Sequence, residues 1–85
     1  MFMDNEKAFV YAKQAQDLSR KIGYKKGVAN GYLQYGNYYY NQSKNDSASY
    51  YHNLALKEFK NIKSVKGQIF ALHSLATIER EKGDF

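Results

Sequence analysis

Residues 26–63 read KGVANGYLQYGNYYYNQSKNDSASYYHNLALKEFKNIK, and this stretch decides the fold. On both sides of the polar run at 41–45, apolar or small side chains recur three or four residues apart, which places them on one face of a helix. The first stripe is Val28, Tyr32, Tyr35 and Tyr39, and the second is Ala48, Tyr51, Ala55, Phe59 and Ile62. The stretch predicts two helices, over about 26–42 and 47–63, with Asp46 capping the second.

The flanking sequence carries the same pattern. A helix is predicted over about 4–21, with Asp4 or Asn5 as its cap and Gly23 just past its end. Its stripe is Ala8, Tyr11, Ala15, Leu18 and Ile22, and the stripe of a fourth helix over about 67–82 is Ile69, Leu72, Leu75 and Ile78. No proline interrupts these segments, and strand-like alternation is nowhere sustained. The sequence predicts an all-α fold with about four helices.

The chain repeats itself at a distance of forty residues. Seven positions are identical after this shift, at Asn5/Asn45, Ala8/Ala48, Tyr11/Tyr51, Ala15/Ala55, Ile22/Ile62, Lys26/Lys66 and Gly27/Gly67. Small residues also pair, Gly31 with Ala71 and Gly36 with Ala76. A glycine inside a helix costs about 1 kcal/mol relative to alanine, so Gly31 and Gly36 imply that a neighbouring helix packs closely on their backbone.

The small residues Gly36, Ser43, Ala48 and Ala55, with Ala76 followed by Gly83-Asp84-Phe85, resemble the signature of the tetratricopeptide repeat. The period resembles the longer variant of about forty residues found in bacterial signalling regulators and kinesin light chains. The sequence departs from that signature in three ways. Tyr32 and Leu72 stand in place of the usual tryptophan, Ser43 in place of a turn glycine, and His52 where an aromatic residue is common.

The resemblance implies antiparallel helix pairs stacked as a right-handed α-solenoid, with residues 1–85 forming a single segment of it. Residues 4–23 would be the second helix of one unit, 26–63 a complete helix pair, and 66–85 the first helix of a further unit. Phe85 would stand where a following helix begins. We therefore expect two open end faces, covered either by further repeats of a longer array or by self-association.

The resemblance also implies a binding groove lined by the first helix of each unit. It places ten residues there: Asn30, Leu33, Asn37, Tyr40, Asn41, Phe70, His73, Thr77, Arg80 and Glu81. Their amides, aromatic rings and one arginine suit an extended or helical peptide, although the same residues could be only the solvated face of two amphipathic helices. Asn37 occupies a carboxylate-clamp position of the family, but Leu33 stands where that clamp needs a lysine.

Two other surfaces allow a functional and a structural interpretation. The run Asn37–Asn41 with Tyr32 and Tyr35 could stack on bases or aromatic side chains, but helical spacing places most of these tyrosines in the packed interior and only Tyr40 toward the groove. A basic ridge is predicted from Arg20, Lys21, Lys25, Lys26, Lys57, Lys60, Lys63 and Lys66. It could bind nucleic acid or an acidic surface, or simply complement helix dipoles and maintain solubility.

Composition narrows the function classes. There is no cysteine, the net charge is +5, and the two histidines, His52 and His73, belong to no known metal or catalytic motif. We expect no catalysis, no cofactor and no bound metal, and, without a membrane span or a secretory signal, a cytoplasmic protein. The sequence predicts a protein- or peptide-binding scaffold, part of a larger signalling or regulatory protein. The alternative is a segment for self-association or for nucleic-acid contact along the basic ridge.

Overall fold

Residues 3–82 form a succession of four helices. The computed structural model describes the backbone of residues 3–82 and the side chains of residues 6–82. The helices are α1 (Met3–Ile22), α2 (Lys25–Asn41), α3 (Asn45–Asn61) and α4 (Val65–Lys82), and no strand occurs within residues 3–82. The predicted all-α fold of four helices is confirmed, with each helix end within two residues of its prediction. None of these helices is both long and apolar enough to cross a bilayer.

Three turns of the same construction connect the helices. Each has one residue with a positive φ, and these lie twenty positions apart: Gly23 (73°), Ser43 (61°) and Lys63 (59°). The next residue donates its N–H to a carbonyl five positions back, in the pairs Tyr24–Ser19 (2.8 Å), Lys44–Tyr39 (2.9 Å) and Ser64–Phe59 (2.9 Å). The predicted role of Gly23 is confirmed. Because these turns reverse the chain within two or three residues, consecutive helices run antiparallel.

The prediction that Asp46 caps α3 is wrong. The preceding turn is complete at Lys44, whose carbonyl accepts the N–H of Ala48 (3.0 Å), so that α3 already begins at Asn45. Asp46 lies exposed in the first helical turn, with an Oδ1 oxygen 3.7 Å from the Nζ atom of Lys82. The side chains of Asp4 and Asn5, the predicted caps of α1, and the residues Gly83-Asp84-Phe85 lie outside the described part of the chain.

Each helix packs mainly on the helices next to it in sequence. The most extensive contact joins α2 to α3, followed by α3 with α4 and α1 with α2, while α2 and α4 touch only slightly. Ala29, Ala55 and Phe59 form the buried core, with Tyr32, Leu33 and Ile62 packed around it. The predicted inner face of α3 is confirmed, because Ala48, Ala55 and Phe59 are buried while Tyr51 and Ile62 are half-buried.

Gly36 allows the closest packing of side chain on backbone between α2 and α3. A Cβ atom added there would lie 2.6 to 2.7 Å from three atoms of the buried His52 imidazole. Gly31 likewise receives the side chain of Gln16 from α1, and Gly67 receives the ring of Phe59. The expectation that helix-interior glycines mark close approach is confirmed.

The apolar stripes of the two outer helices, α1 and α4, are mostly exposed. All five stripe residues of α1 are exposed, including Tyr11 (66%), Leu18 (60%) and Ile22 (70%). On α4, Ile69 (56%) and Leu72 (51%) are exposed as well, although Leu75 is half-buried and Ile78 is buried. The residues that α1 packs on α2 lie one position further along: Phe9, Ala12, Gln16 and Ser19. Apolar spacing identified one face of each helix; no described helix covers that of α1, and on α4 only Leu75 and Ile78 are covered.

Seven aromatic rings connect α1, α2 and α3. Phe9 stacks on Tyr38 (4.1 Å between centroids), and Tyr39 stacks on Tyr51 (5.6 Å). The remaining members are Tyr32, Tyr35 and Tyr50. Burial raises the pKa of the Tyr35 and Tyr51 hydroxyls. The interpretation of Tyr32, Tyr35 and Tyr39 as packing residues is consistent with their half-buried positions in this network.

Two turns hold a non-glycine residue, Ser43 or Lys63, in the left-handed backbone region, which is strained for any residue that carries a Cβ atom. We predict that Ser43→Gly and Lys63→Gly each raise the free energy of unfolding by about 0.5–1 kcal/mol, while Gly23→Ala lowers it by about 1 kcal/mol. Urea unfolding monitored by circular dichroism measures all three. As a control, Lys60→Gly in the helical last turn of α3 should be destabilising by about 1 kcal/mol; stabilisation there would contradict the conformational explanation.

The contact between Gly36 and His52 predicts that the effect of Gly36→Ala on the free energy of unfolding changes sign when His52 is replaced by alanine. Gly36→Ala alone should lower the free energy of unfolding by about 1–3 kcal/mol, because the new methyl group overlaps the imidazole. In a His52→Ala background the same substitution should raise the free energy of unfolding by up to about 1 kcal/mol, since only the helix preference of alanine remains. Thermal or urea unfolding of the four proteins measures the coupling. Equal effects in both backgrounds would show that the two residues do not touch.

Candidate functional site

A groove lies between α2 and α4, with α3 beneath it. Its two walls meet near their C-terminal ends, where the hydroxyl of Tyr40 donates to the Glu81 Oε2 atom at 2.6 Å. This hydrogen bond to a carboxylate raises the pKa of Tyr40. Because α2 and α4 also pack on the same helix, the polar faces of both open on one side of the molecule.

The first depression in this groove, here named the His52 hollow, has a volume of about 170 Å³. Its lining is Asn37, Tyr40, His52, Ser74, Thr77 and Ile78. Three helices contribute, since His52 comes from α3 and the other residues come from the two walls. The hollow holds one side chain or a fragment of that size, and is smaller than typical drug-sized pockets of about 300–1,000 Å³.

His52 is buried without the hydrogen bonds that a buried imidazole usually has. Only 1% of the residue is exposed, and its Nδ1 atom has no partner among the described residues. Burial lowers the pKa of His52, so the ring is neutral at pH 7 and offers one acceptor and one donor nitrogen. Gly36 positions the ring here, because any larger residue at 36 would displace it.

Most of the remaining hydrogen-bonding capacity of the His52 hollow consists of acceptors. Tyr40 donates its hydroxyl proton to Glu81, and the Thr77 hydroxyl donates to the carbonyl of His73 at 3.0 Å. Their oxygen lone pairs stay free, and the neutral imidazole adds one acceptor nitrogen and one N–H donor. Asn37 and Ser74 can each donate or accept. The hollow therefore suits a group that donates hydrogen bonds and can also accept them.

A second depression, here named the Phe59 hollow, lies at the other end of the groove and has a volume of about 290 Å³. It is lined by Lys26, Asn30, Phe59, Ser64, Lys66, Gly67 and Phe70. Phe59 is buried and Phe70 is 52% exposed, so aromatic surface is available inside the hollow. Lys26 and Lys66, exposed at equivalent positions of the repeat, bring positive charge to its edge.

Six of the ten predicted groove residues lie at the two hollows, and four lie elsewhere. Asn37, Tyr40 and Thr77 line the His52 hollow, with Glu81 bonded to Tyr40, while Asn30 and Phe70 line the Phe59 hollow. Four others contribute differently: Leu33 packs against the core, Asn41 lines a hollow on the α1 side of α2, and His73 and Arg80 are exposed.

Three residues that line the His52 hollow are absent from the predicted groove: His52, Ser74 and Ile78. Spacing assigns Ile78 to the apolar stripe of α4, and no sequence pattern assigns His52 or Ser74 to a binding surface. One signal could have indicated His52, because Gly36 predicts that a bulky residue of the following helix reaches the backbone at that level. Ser74 carries no such signal, since serine is common on any face of a helix.

The basic ridge residues lie at one end of the molecule, and all eight are exposed. Arg20 is already engaged, because its guanidinium donates to the Tyr32 hydroxyl and lies 5.6 Å from the centre of that ring. Lys26 and Lys66 belong to the edge of the Phe59 hollow. Lys60 lies in the last turn of α3, where a cation complements the helix dipole.

Comparisons with protein-family models, curated proteins and solved structures found no match. The tetratricopeptide resemblance stays a prediction that rests on the residues themselves. Among the side chains of residues 6–82, no three histidines or carboxylates come together as they would around a metal ion.

The buried histidine predicts a pH dependence of stability. The pKa of His52 is lower in the folded protein than in the unfolded chain, where it is about 6.5. Unfolding therefore takes up a proton below that pH, and stability should fall as the pH drops from about 6.5, by at most about 1.4 kcal/mol per pH unit. Above pH 7 this contribution is constant.

Urea unfolding at several pH values between about 5 and 8 tests this prediction, with the window set by the ordinary histidine pKa. His52→Gln should flatten the profile between pH 5 and 6.5, whereas His73→Gln, which alters an exposed histidine, should leave it unchanged. An identical slope in wild type and His52→Gln would contradict the assignment of a neutral, buried His52.

Proposed function

We propose that this protein is a peptide-binding scaffold, built as a tetratricopeptide-like α-solenoid, whose groove holds an extended segment of a partner protein. The observation that carries the proposal is the pair of hollows between α2 and α4, each lined by side chains from three different elements of the chain. Peptide recognition commonly uses separate pockets, each of which takes one side chain.

The spacing of the hollows favours a short extended segment. Asn30 and Asn37, one in each hollow, are seven residues apart on α2, which corresponds to about 10 Å along the helix. A peptide in the extended polyproline II conformation advances about 3.1 Å per residue with three residues per turn. Two side chains three positions apart therefore point the same way and would reach both hollows. The partner motif is therefore two anchor residues separated by two others.

The chemistry of each hollow favours a different anchor. The free acceptors of the His52 hollow favour an uncharged donor, such as the carboxamide of asparagine or glutamine. A carboxylate is disfavoured there, because the Tyr40 and Thr77 oxygens present lone pairs and no cation among the described residues lines this hollow. In the Phe59 hollow, Lys26 and Lys66 favour an acidic side chain whose aliphatic part packs on the Phe59 and Phe70 rings. The net charge of +5 attracts such an acidic partner at longer range.

The experiment is a selection of displayed random peptides of about twelve residues, long enough in extended form to span both hollows. Peptides enriched on the wild-type protein should carry an acidic residue and an asparagine or glutamine three positions apart. Fluorescence anisotropy with the labelled, selected peptides then measures affinity for the variants.

Asn37→Ala and Thr77→Val should each weaken binding about tenfold, equivalent to about 1.4 kcal/mol, with little change in melting temperature. Lys66→Ala should weaken binding in a salt-dependent way. Gln34→Ala is the matched control, because it removes an exposed amide from the α1 side of the same helix and should leave affinity unchanged. Selected peptides that bind all the groove variants as tightly as wild type would overturn the proposal.

A further inference from the structure

Both outer helices present an uncovered apolar face. On α1 this face, here named the α1 face, consists of Ala8, Tyr11, Ala15, Leu18 and Ile22, all exposed. On α4 the corresponding α4 face consists of Ile69, Leu72, Leu75 and Ala76, of which only Leu75 is half-buried. Neither face touches another described helix closely enough to exclude water. Apolar surfaces of this extent on a small protein indicate a binding partner.

The forty-residue repeat identifies what these faces correspond to. Shifted by forty positions, α1 superposes on α3 and α4 superposes on α2. The α1 face is thus the counterpart of the α3 surface that packs on α2, and the α4 face is the counterpart of the α2 surface that packs on α3. The contact between α2 and α3 is the most extensive one between described helices. The chain carries a second copy of each of its two surfaces, one on α1 and one on α4, and no described helix packs on either copy.

The aromatic part of this contact has an apolar counterpart. Tyr51 of α3 packs against Tyr32 and Tyr35 of α2, with ring centroids 6.3 and 5.3 Å apart. After the shift, Tyr51 corresponds to Tyr11, while Tyr32 and Tyr35 correspond to Leu72 and Leu75. A tyrosine ring packing on two leucines keeps the same buried character.

The sizes of the remaining residues are complementary. Gly36 accommodates His52 in the existing contact, and the corresponding pair is Ala76 with Ala12, where the smaller partner compensates for the added methyl group. Ala29 lies in the core with Phe59 and Ala55, and the corresponding set is Ile69 with Ser19 and Ala15. In both cases the residue on α4 is larger than its counterpart on α2, and a residue on α1 is smaller than its counterpart on α3. The total volume of the contact is therefore similar, as native packing density requires.

We infer that a second copy of this chain covers each outer face, with the α4 face of one copy packed on the α1 face of the next as α2 packs on α3. The contact joins two different surfaces, so it is head-to-tail and leaves a free α1 face and a free α4 face at the ends of any assembly. Such contacts form open-ended series of copies instead of closed dimers, unless the rotation between copies closes a ring. The inference does not depend on peptide binding in the groove.

The first experiment is sedimentation velocity of the chain from about 1 µM to about 1 mM, the range in which weak protein contacts dissociate. The mean mass of the wild type should rise with concentration beyond that of a dimer. Ala15→Glu disables the α1 face and Ile69→Glu disables the α4 face, because their counterparts Ala55 and Ala29 are buried in one core cluster. Both side chains are exposed, and circular dichroism checks that helicity is retained.

Each variant alone should remain monomeric, whereas an equimolar mixture should form a dimer of one copy of each and nothing larger. In that pair the intact α4 face of the Ala15→Glu protein meets the intact α1 face of the Ile69→Glu protein. Tyr50→Glu charges an exposed aromatic residue of α3 away from both faces and should assemble like wild type. A wild type that stays monomeric, a variant that dimerises alone, or a mixture that stays monomeric would overturn the inference.

A cross-linking experiment tests the register. The chain contains no cysteine, so Ala15→Cys and Ile69→Cys proteins each carry a single thiol. Their counterparts, Ala55 and Ala29, lie in one core cluster, so mild oxidation of the mixture should give a disulfide-linked pair of the two proteins. Replacing the second protein by Glu81→Cys, at the far end of α4, is the control. Equal cross-linking in both mixtures would contradict the proposed register.

Discussion

Close approach between side chains and glycine backbone is the constraint on which the rest of this structure depends. Among the described residues, the four glycines within helices all lie on α2 or α4, and the side chains that contact them come from α1 or α3, except for an added contact of Tyr24 with Gly27. They pair as Gly27 with Ser19, Gly31 with Gln16, Gly36 with His52 and Gly67 with Phe59. A methyl group at any of them would force the neighbouring side chain to move. The glycines thus set how near the helices lie, and with it the depth of the groove above α3.

The same contacts differ in strength along the chain. At the boundary of α3 and α4 an aromatic ring, Phe59, packs on Gly67, whereas at the boundary of α1 and α2 the equivalent residue is Ser19. Gln16, beside it, is 2% exposed, and its side-chain oxygen and nitrogen have no hydrogen-bond partner among the described residues. Each such unpartnered group costs about 1–3 kcal/mol. We therefore regard α1 as the helix held least firmly, which makes coverage of its outer face more consequential for stability.

Much of this fold follows from the sequence because helices and their ends depend on local interactions. Helical spacing and the absence of proline predicted four helices, and Gly23 and Gly36 predicted a turn and a close approach. The cap at Asp46 was misassigned because the preceding turn, not the residue type, determines where α3 starts. The stripes of α1 and α4 were correctly read as single faces, yet spacing alone does not reveal whether another helix lies over a face. His52 and Ser74 escaped the groove prediction because the hollow is formed by three helices whose relative positions the sequence pattern does not give.

The central claim is that glycine at position 36 brings the His52 imidazole onto the backbone of α2, forming the floor of the hollow. Nuclear Overhauser spectroscopy of the labelled protein tests it directly. A Cβ at Gly36 would lie 2.6 Å from the His52 Cε1 atom, so the α-protons of Gly36 should show a strong cross-peak with the Hε1 proton of His52. Absence of that cross-peak in the assigned spectrum of the folded protein would contradict the account, because His52 would then lie elsewhere and the hollow would have no floor.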